Sequence, residues 1–181
     1  VIGRGRGAFA EYTLMQPHQA MHIPEGLSME EAAAIPVSFC AAYDAVAAYG
    51  RLRKDQWMLV TAASSAVGVA AVQTGKILGA NVIGTSGSAE KLKVLATLGM
   101  DEGIATRSPD FSEKVVGITG NGANLAVNCL GGSVFGECMR SLAFAGRLAT
   151  VGYVDGVHEA QIDLKRLHGN RHVVFGISNS R

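Results

Sequence analysis

Ser64 and Ser65 stand between a short apolar run, Met58-Leu59-Val60, and a longer run whose apolar residues Val69, Val72, Ile77 and Leu78 are interspersed with Gln73 and Lys76. The first run suits a doubly buried parallel strand, and the second suits an amphipathic helix. Small side chains fill the connection between them. A strand, a tight turn of small residues and a helix are the setting in which a phosphate reaches backbone N–H groups at the positive end of a helix. Laid over the fingerprint G-x-G-x-x-G, the turn puts Ala63, Ser65 and Gly68 at the glycine positions. Only Gly68, where the helix would pack closest to the strand, is a glycine. On this motif alone two readings stay open: a pyrophosphate site at Ser64-Ser65-Ala66-Val67, or an ordinary βα unit.

Further along, Gly84-Thr85-Ser86-Gly87-Ser88 supplies small and hydroxyl side chains and no acid. A site for NAD places Asp or Glu about 20 residues after the glycine turn, to bind the ribose 2′-hydroxyl. Lys91 follows one helical turn later, as either a phosphate ligand or a solvated surface lysine. Cys129-Leu130-Gly131 and Val151-Gly152-Tyr153 close two more apolar runs. Ligands of parallel sheets bind at such carboxyl ends.

Metal chemistry finds little support. Cys40, Cys129 and Cys138 form no C-x-x-C pair. His18 and His22 have the i, i+4 spacing of helical zinc ligands, but Pro17 and Pro24 bracket them and no Cys or Glu has matching spacing. His158, His168 and His172 also lack partners. Cys40 reads as a small buried apolar residue rather than a nucleophile.

The elements that would position these residues alternate. Gly3-Arg4-Gly5-Arg6-Gly7-Ala8 matches G-x-G-x-x-A, but no strand precedes it and Ala8 to Leu14 reads as a strand, so it is a loop. Pro24-Glu25-Gly26-Leu27 is a turn, and Ser28-Met29-Glu30-Glu31 is a capping box that opens a helix through Ala34. Pro36 interrupts it, and a second helix is expected from Val37 to Tyr49. After the Trp57 strand and the helix at Ala66, strands are expected at Asn81 to Thr85, Gly103 to Ala105, Leu125 to Cys129, Arg147 to Val151 and His172 to Ile177. Helices are expected at Ala89 to Leu98, Pro109 to Ile118, Ser133 to Leu142 and Leu164 to Leu167. Such alternation predicts an α/β fold, a Rossmann-type doubly wound six-stranded parallel sheet.

Composition narrows the class. The 181 residues hold 16 Lys and Arg against 15 Asp and Glu, a balance that argues against nucleic-acid or membrane-surface binding. No apolar run approaches the roughly 18 residues of a membrane span. The odd count of 3 cysteines fits free thiols in a reducing compartment, and so a cytoplasmic protein.

Taken together, Gly7-Ala8-Phe9-Ala10-Glu11-Tyr12, Ala32 to Pro36, Ala42-Tyr43, the Ala63 to Gln73 turn and helix, Gly84-Thr85, Lys91 and Leu148 to Gly152 resemble the medium-chain dehydrogenase/reductase superfamily, in its zinc-free quinone oxidoreductase branch. The resemblance implies that residues 1–36 are the tail end of a GroES-like barrel with its connection, that residues 37–181 are the dinucleotide-binding domain, and that the chain is a fragment. It implies NADP as cofactor, with hydride delivered to a quinone or electron-poor enone. An enoyl reductase domain of a fatty-acid or polyketide synthase, or a protein that binds NADPH without turnover, are the alternatives.

The same resemblance distributes roles. Ser64, Ser65, Ala66 and Val67 would hold the pyrophosphate, although the family carries two glycines where Ser65 and Ala66 stand. Gly84, Thr85, Ser86 and Lys91 would take the adenosine ribose and its 2′-phosphate. Thr106 stands where relatives have a tyrosine near that phosphate, with Arg107 beside it. Cys129, Leu130, Val151, Gly152 and Tyr153 would line the nicotinamide end. Ala41 replaces a threonine that faces the nicotinamide, and Val37 stands where zinc-dependent relatives place a cysteine. No residue is identified as the proton donor. The family joins its sheets through the sixth strand, implying a homodimer through His172 to Ile177.

Overall fold

The computed structural model describes residues 1–3, 5 and 7–178. Arg4 and Arg6 of the glycine-rich start, and residues 179–181, lie outside the described residues. The chain forms a sheet of strands β1 (Trp57–Val60), β2 (Asn81–Ser86), β3 (Glu102–Ala105), β4 (Ala123–Asn128), β5 (Leu142–Thr150) and β6 (Val173–Gly176), all paired in parallel. Their order across the sheet is β3-β2-β1-β4-β5-β6. The chain leaves β1 toward one edge and returns at β4 toward the other, so a crevice opens between the ends of those two strands.

Helices cover both faces. On one side α2 (Ile35–Tyr43), α3 (Ala66–Ile77) and α4 (Ala89–Thr97) enclose a core containing Val46, Met58, Val60, Val72, Val82, Leu95 and Val127. On the other, α5 (Ser112–Thr119) and α6 (Phe135–Arg140) pack Phe111, Val115, Phe135 and Met139 against Leu59, Ile83, Ala126 and Leu148. Strands buried on both faces read as unbroken apolar runs, which is why the sequence marked them well.

Local chemistry sets the boundaries. Ser28 and Glu31 close the expected capping box at α1 (Met29–Ala33), with bonds of 2.9 and 3.2 Å. The expected helix from Val37 to Tyr49 begins earlier and divides. Pro36 fits the first turn of α2, where no N–H is needed, and a π-helical turn (Asp44–Ala48) follows, with Tyr49 N–H bonded to the Asp44 carbonyl at 2.9 Å. Helix α5 starts later than Pro109 because Phe111 is drawn into the core as its N-cap residue and the Ser112 N–H goes to Glu137 Oε2 at 2.6 Å. The helix expected to reach Leu142 stops at Arg140, where the Ser141 hydroxyl turns back to the Glu137 carbonyl at 2.8 Å. Leu142 then opens β5, which makes an excursion through Ala145 at φ 58° before pairing resumes at Arg147. The last α-helix is α7 (Leu164–Gly169).

Two expectations fail. Residues 8–14 form no strand; Phe9, Tyr12 and Leu14 are exposed, so the segment lacks a face to bury. Cys40 is exposed rather than buried. The buried face of α2 is set by Pro36, Ala41 and Ala42, and Cys40 falls outside it.

Candidate functional site

The turn after β1 is tight. Ala62 takes φ 46°, and the Ser65 N–H bonds to the Ala62 carbonyl at 2.8 Å. Ser65 is the N-cap of α3, its hydroxyl accepting from the Gly68 N–H at 3.1 Å. The N–H groups of Ala66 and Val67, in the first turn, have no helical acceptor and point out of the helix end. Gly68 has the role expected of it, since a Cβ there would stand 2.6 Å from the Ala62 carbonyl oxygen and 2.7 Å from that of Ala63. The missing glycines are thus confined to positions whose backbone the turn accommodates with short side chains.

On one side of the turn lies the end of β2. The Ala63 N–H bonds to the Thr85 carbonyl at 2.9 Å, and the Ser64 and Ser86 hydroxyls meet at 3.2 Å. Gly84 admits Ala63 and Met100, which a Cβ would meet at 2.9 and 2.5 Å. Ser88 caps α4 through the Lys91 N–H at 3.3 Å, leaving the Lys91 ammonium exposed in the first turn. Parallel pairing of Ser86 with Ala105 brings the end of β3 alongside. Thr106 N–H bonds to the Ser86 carbonyl at 2.9 Å, while its hydroxyl is held by Ser108. Arg107 lies across Gly87, close enough that a Cβ there would meet its guanidinium carbon at 3.1 Å. A lysine, an arginine and hydroxyls thus gather at an edge whose Gly84 to Ser88 loop carries no carboxylate. Glu90, in the first turn of α4, is paired with Lys93 at 2.9 Å.

On the other side stand the ends of β4 and β5. Cys129 is buried, and burial pushes its thiol up to about 12, with the Ser65 hydroxyl beside it pulling the other way. Leu130 and Gly131 begin the loop after β4; Val151, Gly152 and Tyr153 begin the loop after β5. The Tyr153 ring packs on the His158 ring at 5.0 Å between centroids. Together with Asn128, Thr150 and Val174 these loops line a cavity of about 240 Å³. A larger depression of about 820 Å³ lies between Asp110, Glu113, Arg140 and Arg166, on the helical layer away from the strand ends. Its buried carboxylate, Glu137, is already bonded to Ser112 and Arg140, so it belongs to the packing of α5 on α6.

The structure therefore gathers Ser64, Ser65, Ala66, Val67, Gly84, Thr85, Ser86, Lys91 and Thr106 on one side of the crevice. It gathers Cys129, Leu130, Val151, Gly152 and Tyr153 on the other. Ala41 lies on the buried face of α2, which packs on α3. His18 and His22 share no helix, because a short 3-10 turn ends at Gln19. Among the described residues no group of three or more His, Cys, Asp or Glu is placed to hold a metal ion. Thr61 and Asn128, both buried at the strand ends and hydrogen-bonded at 3.0 Å, were not marked from the sequence. The one signal was a polar residue closing each of two otherwise apolar runs.

A parallel sheet in this order, with a small-residue turn feeding a helix N-terminus at its crevice, defines a dinucleotide-binding α/β domain. The family of zinc-binding dehydrogenases matches residues 66–181, and the chain belongs to it, within the medium-chain dehydrogenase/reductase superfamily. A quinone oxidoreductase-like protein 2 homolog of Nematostella vectensis is 35% identical over 158 residues, covering 86% of this chain and 43% of the relative. A phenolphthiocerol/phthiocerol polyketide synthase subunit of Mycobacterium tuberculosis is 31% identical over 92% of the chain, which spans 8% of that protein. Among solved structures, the quinone oxidoreductase of Thermus thermophilus, described with its NADPH complex, superposes with a TM-score of 0.78 at 33% identity, covering 90% of this chain and 51% of that one. The chain thus spans less than half the length of the first of these relatives.

Proposed function

We propose that this chain is the NADPH-binding portion of an oxidoreductase that transfers hydride from NADPH to a quinone or an electron-poor enone. The observation that carries this reading is the acid-free end of β2, with the exposed ammonium of Lys91 one turn into α4 and Arg107 lying across Gly87. A carboxylate there would repel a 2′-phosphate, whereas cations and hydroxyls receive it. The donor set fits the cofactor: the Ala66 and Val67 N–H groups suit the pyrophosphate, and Ser86, Lys91 and Arg107 suit the phosphorylated ribose. Cys129, Leu130, Val151, Gly152 and Tyr153 would enclose the nicotinamide.

When bound, NADPH supplies the hydride. The chain's own residues fix where the cofactor lies and keep water from its reactive end. Positioning of this kind accounts for roughly 7–11 kcal/mol of a barrier when the reacting atoms are held together.

The reading includes a catalytic centre without zinc, a cytoplasmic setting, a barrel-derived segment at residues 1–36 ahead of the nucleotide domain at 37–181, and a homodimer through β6. An enoyl reductase domain of a polyketide synthase is the second reading, supported by the Mycobacterium tuberculosis relative aligned over 92% of the chain. Both are hydride transfers to an activated double bond, so one assay addresses them. Loss of NADPH absorbance would be followed with quinones, free enones and enoyl thioesters as acceptors, using the protein together with its flanking sequence. Turnover with quinones or free enones supports the first reading, turnover confined to enoyl thioesters supports the second, and binding of NADPH with none of these supports a non-catalytic protein.

A further inference from the structure

Asn128 touches three strand ends at once. Its backbone carbonyl accepts from the Val151 N–H at 2.9 Å, just past β5. Its side-chain Oδ1 accepts from the Thr61 hydroxyl at 3.0 Å, just past β1, and from the N–H groups of Leu130 and Gly131 at 3.0 and 3.2 Å. Its Nδ2 donates to the Gly131 carbonyl at 2.8 Å. With three donors around Oδ1 and a carbonyl facing Nδ2, the orientation of the amide follows from its partners. The Thr61 hydroxyl oxygen in turn accepts from the Cys129 N–H at 3.1 Å. Thr61 and Asn128 are 0% and 1% exposed.

The pairing of β1 with β4 does not need this cluster, because their ladder continues through the Thr61 N–H to the Val127 carbonyl at 3.0 Å. What the side chains fix is the loop that begins at Leu130 and Gly131, to which Asp155 ties the loop after β5. Gly131 takes φ 141°, open to glycine alone, and a Cβ there would run into the Asp155 carboxylate. Asp155 grips the same loops from outside, accepting from the Ser133 hydroxyl, from the Ser133 N–H at 3.0 Å and from the Val157 N–H at 2.9 Å. The Asp155 N–H closes the arrangement on the Leu130 carbonyl at 3.0 Å. A buried polar network whose side-chain atoms have partners rigidifies what it touches, and this one touches the cavity of about 240 Å³ between the loops after β4 and β5.

We propose that Asn128 and Thr61 are positioning residues that hold the walls at Leu130-Gly131 and Val151-Tyr153 in the arrangement that receives the nicotinamide half of the cofactor, and that half alone. The proposal rests on the NADPH reading above. With the clasp cut, the receptive arrangement becomes a fraction of the population. The apparent affinity of any ligand that needs it falls by that fraction. The adenosine ribose and its 2′-phosphate meet Lys91 and the end of β2, which no bond of the clasp reaches.

The test titrates NADPH and 2′,5′-ADP against the 181-residue chain and its variants Asn128→Ala, Thr61→Val and Thr61→Ser, with thermal melting to follow folding. A receptive fraction of about one tenth in Asn128→Ala weakens NADPH about tenfold while 2′,5′-ADP stays within about twofold of wild type. Thr61→Val should move the same way by a smaller factor, and Thr61→Ser, which keeps the hydroxyl, should bind both ligands as wild type does. A fold defect would lower both affinities in parallel. Should Asn128→Ala not fold, the comparison of Thr61→Val with Thr61→Ser decides. Parallel losses, or unchanged NADPH affinity in Thr61→Val, overturn the clasp while leaving the NADPH reading intact. A wild-type chain that binds neither ligand overturns both.

Discussion

The hydroxyls of Ser64 and Ser86 meet at 3.2 Å, joining the turn after β1 to the last residue of β2. One belongs to the turn proposed to receive a pyrophosphate, and the other to the strand end proposed to distinguish the two nicotinamide cofactors. Ser86→Asp would place a carboxylate at that junction, beside the Ser88 N–H that Ser86 now accepts from at 3.3 Å. It should weaken NADPH and spare NADH. Lys91→Ala should cost NADPH about 1–3 kcal/mol, as for loss of a charge-assisted hydrogen bond, with little change for NADH. Titration of both variants with both cofactors checks this; equal effects on the two cofactors would remove the 2′-phosphate from this edge.

Gly68 and Gly117 should respond in opposite directions to alanine. At Gly68 a Cβ would stand 2.6 to 2.8 Å from backbone atoms of Ala62 and Ala63, which cannot swing aside. Overpacking of this kind costs about 1–3 kcal/mol. At Gly117, inside α5, a Cβ meets nothing within 4 Å, so alanine should add about 0.5–1 kcal/mol. Urea unfolding of the two variants measures both. A neutral Gly68→Ala would mean that α3 does not approach the β1 turn this closely.

His172 should make stability depend on pH. Burial holds its imidazole below the usual value; the hydrogen bond to the Ala143 carbonyl pulls upward, and Arg166 pulls downward again. Nε2 lies 3.2 Å from the Ala143 oxygen and so carries the proton, while Nδ1 is buried without a hydrogen-bond partner. The fold therefore favours the neutral ring, and the unfolded chain takes up the proton near pH 6.5. The stability contributed by His172 is complete above about pH 6.5 and is lost as pH falls from there toward the lower folded value. Urea midpoints at about pH 7.5 and 5.5 should differ less in His172→Gln, which can still donate to Ala143 but cannot titrate. An unchanged difference would place the titration elsewhere.

Strand β6 lies at an edge of the sheet. The Ile177 N–H points to Thr150 at 2.9 Å, so by alternation the Val174 N–H faces outward. Val173 is exposed beside the half-buried Val174 and Phe175. The homodimer proposed through β6 would complete this short apolar edge with a symmetry mate. Light scattering at tens of micromolar should report a dimer that Val174→Pro disrupts without breaking the β5 pairing; a monomeric wild type would exclude this interface.

The centre of the sheet was legible because β1, β2 and β4 are buried along nearly their whole length, and because Pro36 and the Ser28 box punctuate the helices. The grouping of the proposed adenosine-side residues was legible for a different reason: they fall in two short runs, Ser64 to Val67 and Gly84 to Lys91, at the ends of adjacent strands. The clasp was not, since Thr61 and Asn128 are 67 residues apart and each alone is merely a polar residue ending a strand. The excursion in β5 was hidden in the same way, being set by the Ala145 N–H reaching Asn170 at 2.7 Å, far along the chain. The segment from Ala8 to Leu14 misled because alternating apolar residues promise a strand only where another surface covers them.

The most direct test of the central claim is a fluorescence titration of the 181-residue chain with NADPH and NADH side by side. Saturable binding about tenfold or more tighter for NADPH, a difference of about 1.4 kcal/mol from the extra phosphate, is the result predicted by the acid-free end of β2 and Lys91. Equal affinities, or tighter NADH, would contradict it.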